Sequence, residues 1–167
     1  MRAAPQPVVA ALGGVCAGAG AILAMASDLR IGTAKAKIAF LFVRVGLSGA
    51  DMGAAWLLPR LVGHGRASEL LMTGDFIEAD EAYRIGLYNH VVAEGTVVAE
   101  AQALAARLAA GPQFAIELTK DALNREADMD LTGAIEAESQ LQAALMTHLD
   151  FHEAYEALRA KRPPRFV

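Results

Sequence analysis

The sequence predicts an α/β fold that is followed by a region made of helices alone. Residues 7–12 are uncharged and rich in valine and alanine, which suits a strand buried on both faces. Four glycines between positions 13 and 20 predict a turn, and the small residues after them predict a helix. From Thr96 onward, apolar residues recur at helical spacing. Strands and helices therefore alternate before this point, and only helices follow it.

The later elements are predicted from local signals. Residues 29–33 and 37–42 have the composition of two short strands. Asp51 precedes an apolar pattern of helical spacing, residues 52–62, which Pro59 should bend or end. The remaining predictions before residue 96 are two short helices, residues 67–73 and 79–85, and a last strand, residues 87–92.

Composition excludes several classes of protein. The chain has 167 residues and a 54% hydrophobic content, which suffice for one packed domain. Its net charge of −4 gives no reason to expect nucleic acid or an anionic membrane as partner. The single cysteine, Cys16, excludes an internal disulfide, and the histidines lack metal-ligand spacing. We therefore expect a soluble, cytoplasmic protein without a metal ion.

The glycine turn at residues 13–20 has the composition of an anion site. A helix that begins there directs free N–H groups and a positive dipole end toward the turn, as sites for oxyanions and phosphates do. A membrane span over residues 3–28 is the first alternative, since Gly14 and Gly18 form a small-residue pair; two prolines and four glycines disfavour it. A nucleotide loop is the second. It is disfavoured because no Lys-Ser or Lys-Thr follows, and Leu23 occupies the third glycine position of a dinucleotide fingerprint.

Six motifs occur in a defined order along the chain. They are Pro-Val-Val-Ala-Ala-Leu-Gly-Gly (7–14), Gly-Ala-Gly (18–20), Leu-Ala-Met-Ala-Ser-Asp-Leu-Arg-Ile (23–31), Leu-Pro-Arg-Leu-Val-Gly (58–63), Leu-Leu-Met-Thr-Gly (70–74) and Lys-Arg-Pro-Pro-Arg-Phe (161–166). In this order and spacing, the chain resembles the enoyl-CoA hydratase/isomerase (crotonase) superfamily over essentially its whole length.

The resemblance implies a crotonase-like spiral of ββα units, of which the chain carries a part. Residues 1–95 would form the C-terminal part of this core with the acyl-CoA site. Residues 96–167 would form a helical region that assembles trimers or dimers of trimers. The substrate would be a coenzyme A thioester, no further cofactor would be needed, and the N-terminal part of the domain would lie before Met1.

The resemblance also implies an oxyanion site at the glycine turn. By its place in the motif, the backbone N–H of Ala19 would polarise the thioester carbonyl, with Gly18 and Gly20 shaping the turn around the substrate. Loss of one such donor typically costs about 10²–10³ in rate. The two glutamates that hydratases use to activate water would fall at Ile22 and near Phe42, which would instead contact substrate. Hydration by two carboxylates is therefore disfavoured.

One acidic residue remains in the expected region. Asp51 matches the aspartate that dienoyl-CoA isomerases of the superfamily place in this loop, allowing one inserted residue. Its alternative role is to cap the following helix. Met52 and Trp56 would line the pocket. Lys161 and Arg162 would meet the phosphates of coenzyme A, or else belong to a solvated basic tail.

The expected function is therefore lyase or isomerase chemistry on an enoyl-CoA through a stabilised enolate. Chemistry that needs one carboxylate is favoured over two-glutamate hydration. The alternative is a truncated, catalytically inactive paralogue that assembles with complete subunits.

Overall fold

The computed structural model describes all residues, 1–167, and they divide into two compact units. Unit 1 consists of Met1 and Val8–Leu104, and unit 2 consists of Arg2–Pro7 and Ala105–Val167. The assignment of the acyl-CoA site to residues 1–95 and of oligomerisation to residues 96–167 stays a prediction.

Unit 1 contains two three-stranded sheets. Its strands are β1 (Val9–Leu12), β2 (Val15–Ala17), β3 (Leu29–Thr33), β4 (Lys37–Ala39), β5 (Ile77–Glu78) and β6 (His90–Val92). One sheet has the order β1-β3-β6 with all strands parallel. The other has the order β2-β4-β5, in which β2 is parallel and β5 antiparallel to β4. The sequence predicts neither β2, which lies inside the expected glycine turn, nor the two-residue β5.

The helices of unit 1 follow the glycine punctuation of the sequence. They are α1 (Ala19–Ala26), a 3₁₀ helix (Leu41–Val45), α2 (Ala54–Val62), α3 (His64–Thr73), α4 (Ala79–Arg84) and the first part of α5 (Val97–Ala109). Pro59 lies inside α2 and does not end it, since the helix continues to Val62. Gly63, with φ of 81°, separates α2 from α3, and its N–H donates to the carbonyl oxygen of Pro59 over 2.9 Å.

The core of unit 1 lies on both faces of β3. On one face, Ile22, Phe40, Leu58 and Tyr88 belong to one large buried cluster. On the other, a smaller cluster is formed by Ile31, Val97 and Ala101. The prediction that the first strand is buried on both faces is wrong for this chain. β1 pairs only with β3, and its residues are half-buried or, at one position, exposed.

Unit 2 is helical, as predicted for the C-terminal region. It contains the end of α5 and the helices α6 (Gln113–Arg125), α7 (Leu131–Met146) and α8 (Leu149–Arg159). Lys120 is buried, and its Nζ donates to the carbonyl oxygen of Gln6 over 2.8 Å. Large apolar side chains are exposed on these helices, among them Leu123, Leu131, Leu149 and Leu158. None of the chain's helices combines the length and the apolar composition that a bilayer-spanning helix requires.

Candidate functional site

The predicted oxyanion donor lies at the open N-terminus of α1. Gly18 precedes this helix with φ of 55° and ψ of −129°, a conformation that residues with a Cβ rarely adopt. Its N–H donates to the carbonyl oxygen of Ala39 over 3.1 Å, and its own carbonyl accepts from the N–H of Ile22 over 3.2 Å. Ala19 and Gly20 are exposed, and their N–H groups, as the first of the helix, have no intrahelical partner. The geometry therefore presents backbone donors and the positive end of the helix dipole to solvent at the predicted position.

The two positions at which the hydratase glutamates were expected lie in one apolar cluster. Ile22 is 1% exposed within the large core cluster, and Phe42 is half-buried and packs against that cluster. Phe42 lies in the 3₁₀ helix and not in a strand as predicted. Gly46 closes that helix with φ of 79°, and its N–H donates to the carbonyl oxygen of Val43. Neither position can take or give a proton, since both side chains are hydrocarbons.

Asp51 is exposed in the loop that precedes α2. The interpretation that its side chain caps α2 is wrong. The N-cap residue is Gly53, with φ of 88°, and no side chain accepts a capping hydrogen bond at this helix. The contribution of Asp51 is its backbone carbonyl, which accepts from the N–H of Ala54 over 2.8 Å. The carboxylate is thus not used by the helix, and its catalytic role stays a prediction.

Met52 and Trp56 follow Asp51 in the chain, and both side chains are exposed. Met52 has φ of 47°, one of two non-glycine residues with positive φ in the structure. Such conformations cost of the order of 1–3 kcal/mol and cluster at active sites. The guanidinium of Arg60 lies 3.9 Å from the centroid of the Trp56 ring and donates to the Trp56 carbonyl oxygen. Whether Met52 and Trp56 line the pocket for substrate stays a prediction.

A cavity of about 390 Å³ lies between the 3₁₀ helix, the loop before α2, α2 itself and α3. Small residues provide its space: Gly49, Ala50, Ala55 and Ala67 are among those that line it, beside Leu71 and His64. None of the predicted site residues lines this cavity, and the sequence did not predict it. The sequence feature that could have indicated this cavity is the recurrence of glycine and alanine in α2, α3 and the loop before α2.

Cys16 lies close to the N-terminus of α1. A Cβ at Gly20 would be 3.9 Å from its Sγ. The thiol is half-buried, and this burial raises its pKa. At neutral pH the side chain is therefore a thiol and a poor nucleophile.

The basic C-terminal tail is held by a carboxylate of α8. Nη1 and Nη2 of Arg162 lie 2.6 and 2.9 Å from the two carboxylate oxygens of Glu153. The N–H of Arg165 donates to the same carboxylate over 2.7 Å. The Arg162 hydrogen bond, with that of Arg165, lowers the pKa of Glu153 to about 2. The two predicted coenzyme A ligands therefore differ in their contacts. Lys161 is exposed, whereas Arg162 already has a partner, Glu153, within the chain.

The whole chain, residues 1–167, matches the family model described as enoyl-CoA hydratase/isomerase. The chain therefore belongs to this family, as its motifs suggest. It is 38% identical over 163 residues to the 1,2-epoxyphenylacetyl-CoA isomerase of Escherichia coli K12, covering 98% of this chain and 62% of the relative. It is 36% identical over 167 residues to the crotonyl-CoA hydratase of Syntrophomonas wolfei, covering 100% of this chain and 64% of the relative.

Solved structures have the same fold. A protein of Streptomyces coelicolor A3(2) superimposes with a TM-score of 0.98 at 52% identity, covering 99% of this chain and 60% of that one. An enoyl-CoA hydratase from Polaromonas sp. JS666 superimposes with a TM-score of 0.94 at 33% identity, covering 99% and 64%. The predicted crotonase-like α/β fold is confirmed. The chain spans a little over three fifths of the length of the relatives that it matches.

Proposed function

We propose that this chain acts on an enoyl-CoA thioester and stabilises an enolate at the N-terminus of α1. The backbone N–H of Ala19 donates to the thioester oxygen as negative charge develops on it. Support comes from the exposed first turn of α1 and from the positive φ of Gly18, which sets the direction of these donors. Preorganised donors of this kind need no reorganisation during the reaction. No cofactor besides the coenzyme A of the substrate is required.

The reaction that we propose is an isomerisation or another reaction that uses one carboxylate. The observation that carries this choice is the apolar pair Ile22 and Phe42, at the positions where the family resemblance leads us to expect the two carboxylates of a hydratase. Hydration of that kind needs one group to activate water and one to return a proton. Isomerisation only moves a proton between the α and γ carbons, and a single carboxylate, Asp51, can take it from one and return it to the other.

The names of relatives do not decide between these reactions. The Escherichia coli relative is named an isomerase and the Syntrophomonas relative a hydratase, at 38% and 36% identity. The choice therefore depends on the residues of this chain. An exposed Asp51 carboxylate that takes no part in capping is available for proton transfer, and no carboxylate stands at positions 22 or 42.

Further proposals concern the rest of the substrate and the assembly. Gly18, Gly20, Met52 and Trp56 contact the acyl and pantetheine parts, and Lys161 contacts a phosphate of coenzyme A. Arg162 can do so only if it leaves Glu153. The exposed leucines of α6 to α8 are apolar surface of the kind that subunit contacts bury, and a homotrimer or dimer of trimers in the cytoplasm would bury them.

The alternative is a catalytically inactive subunit that assembles with complete members of the family. The same apolar pair favours this alternative. An inactive subunit that serves only in assembly does not require carboxylates at positions 22 and 42. In that case Asp51 would have no effect on any reaction.

Incubation of the purified chain with 3-enoyl-CoA and 2-enoyl-CoA esters in D₂O tests the proposal. We expect conversion of the 3-enoyl to the 2-enoyl ester without hydration, and loss of this conversion in Asp51→Asn. Deuterium should enter at the γ carbon to the extent that the exposed Asp51 carboxyl exchanges its proton with solvent between the two steps. Hydration of crotonyl-CoA by the wild-type chain would contradict the single-carboxylate mechanism. Absence of all turnover, together with mixed particles when a complete family member is added, would establish the alternative.

A further inference from the structure

A buried arginine holds the end of α1 that is opposite to the proposed donors. Arg30 lies in β3, pairs with Ala10 of β1 in the sheet register, and is 3% exposed. Its guanidinium donates to five backbone carbonyl oxygens. They belong to Leu87 (2.7 Å from Nε), to Ser27, Met25 and Ala24 (2.7, 3.3 and 3.4 Å from Nη1) and to Asp28 (3.5 Å from Nη2).

These hydrogen bonds supply what the C-terminus of α1 lacks. The last carbonyls of a helix have no intrahelical donors, and leaving them unpaired in a core is unfavourable. Ser27 meets part of this need, since its N–H donates to Leu23 and Ala24. The last turn of α1 contains no basic residue, so a cation from β3 takes the place that a lysine or arginine of the helix itself usually has.

The backbone of Arg30 is held as firmly as its side chain. Its N–H donates to Oδ1 of Asn89 over 2.8 Å, and its carbonyl accepts from the N–H of Asn89 over 2.9 Å. The guanidinium therefore extends from a position fixed by both β1 and the segment before β6. It ties the end of α1 to Leu87, a fully buried residue of that segment.

A short helix transmits a displacement from one end to the other. α1 has eight residues and is about 12 Å long. A helix of this length is unstable in isolation, so contacts at its two ends and its packing decide its position. Its buried side chains are Ala21, Ile22, Ala24 and Met25, so packing holds one face of the helix against the core while the contacts at its ends bear on its position along the axis. At the N-terminal end the Gly18 hydrogen bond to Ala39 holds the chain, and at the C-terminal end Arg30 does.

We infer that Arg30 is a positioning residue for the oxyanion site: its buried guanidinium fixes α1 along its axis and thereby the direction of the Ala19 N–H. This rests on the proposed function for its catalytic meaning, while the mechanical relation between Arg30 and the first turn of α1 can be measured without substrate.

Amide hydrogen exchange of the full chain tests the mechanical relation. The variants are Arg30→Met, Arg30→Lys and, as a control that destabilises unit 1 without touching α1, Val97→Ala in the cluster on the other face of β3. At equal overall stability, set by denaturant, we expect the amides of Gly18 and Ile22 to exchange at least tenfold faster in Arg30→Met than in Val97→Ala. Arg30→Lys should restore part of the protection, because an ammonium can still donate to the helix carbonyls; this variant also serves if Arg30→Met does not fold. Equal exchange in the arginine variants and the control would overturn the inference.

A second measurement connects the relation to chemistry. A conjugated aryl-enoyl-CoA absorbs at longer wavelength when its thioester carbonyl is polarised, so its spectral shift reports the strength of the donors. We expect the shift to be smaller in Arg30→Met than in Val97→Ala, with partial recovery in Arg30→Lys. An undiminished shift in Arg30→Met would overturn the role in the oxyanion site. If the wild-type chain binds no such ester, the proposed function fails, and faster exchange in Arg30→Met would still establish Arg30 as the residue that positions the first turn.

Discussion

Gly49 lies directly against the carbonyl oxygen of Leu71, so close that a Cβ at position 49 would collide with it. Gly49 belongs to the loop that carries Asp51, and Leu71 belongs to α3. This contact therefore fixes the loop against a helix two residues before the proposed proton-transfer group.

Gly49→Ala should destabilise the chain by about 1–3 kcal/mol, because the added methyl group must displace either the loop or the backbone of α3. Urea unfolding measures this. The matched control is Gly65→Ala in α3, where a Cβ meets no atom within 4 Å. That variant should be neutral or more stable by up to about 1 kcal/mol, since alanine favours the helix. Equal stability of the two variants would mean that the loop does not rest on α3.

Gly18→Ala should lower kcat about 10²-fold, because a residue with φ of 55° must relax when it gains a Cβ and the Ala19 N–H then changes direction. The expected loss of stability is about 1–2 kcal/mol. Gly14→Ala is the control, since Gly14 also has no atom within 4 Å of a Cβ but lacks a positive φ. Steady-state kinetics of both variants on the same ester decide the matter. A similar loss in Gly14→Ala would show that the positive φ of Gly18 is not the cause of the effect.

Asp51→Asn should reduce turnover at least 10²-fold with little change in the Kd for an acyl-CoA, since an amide cannot accept the proton. The melting temperature should stay unchanged, because the Asp51 side chain does not cap α2. Calorimetric titration and kinetics on one sample separate the two effects. A fall in melting temperature with full activity would restore the structural interpretation of this residue.

Ile22→Glu should lower the free energy of unfolding by about 3–5 kcal/mol, the usual cost of an unpaired charge in a core. Ile22→Val, which keeps the apolar surface, should cost about 0.5–1.5 kcal/mol. Urea titrations of both variants provide the comparison. If the glutamate variant were as stable as the valine variant, position 22 would be open to water, as a hydration site requires.

The ion pair of the tail predicts a dependence on pH. Arg162 and Arg165 lower the pKa of Glu153 to about 2, so the ionised carboxylate stabilises the folded chain. This stabilisation is complete above pH 4.5, the ordinary pKa of the group, and is lost as the pH falls toward 2. The ¹³C carboxyl signal of Glu153 should therefore barely move between pH 5 and pH 3. In Arg162→Gln the same signal should titrate within this range. An unchanged titration in the variant would show that Arg162 does not hold the carboxylate in solution.

Residue patterns predicted the helices well and the short strands poorly. α1 and the four C-terminal helices follow glycine punctuation and helical spacing, which are local signals. β2 and β5 have three and two residues, too few for any periodicity, and only their pairing with β4 makes them strands. Phe42 ends an apolar run that suits a strand equally well, yet Gly46 closes it into a 3₁₀ helix.

For the candidate site, the sequence predicted that a helix begins at the glycine turn, as α1 does, whereas helix capping, the alternative role that it offered for Asp51, is wrong. Met52 and Gly53 have left-handed backbone conformations, and Gly53 is the N-cap residue of α2. The residue type at position 51 does not indicate where this helix begins. The sequence did not predict the role of Arg30, because its hydrogen-bond partners are main-chain carbonyls, which every residue has.

The position of Cys16 has a practical consequence. The chain has no other cysteine, and this one lies half-buried beside the first turn of α1, with a pKa raised by its burial. Alkylating reagents react with the thiolate, so the raised pKa and the partial burial of Cys16 should make its modification slow. The rate of alkylation at fixed pH therefore reports how accessible this thiol is beside the first turn of α1. A bound ester that closes over the same turn should slow that rate in proportion to its occupancy.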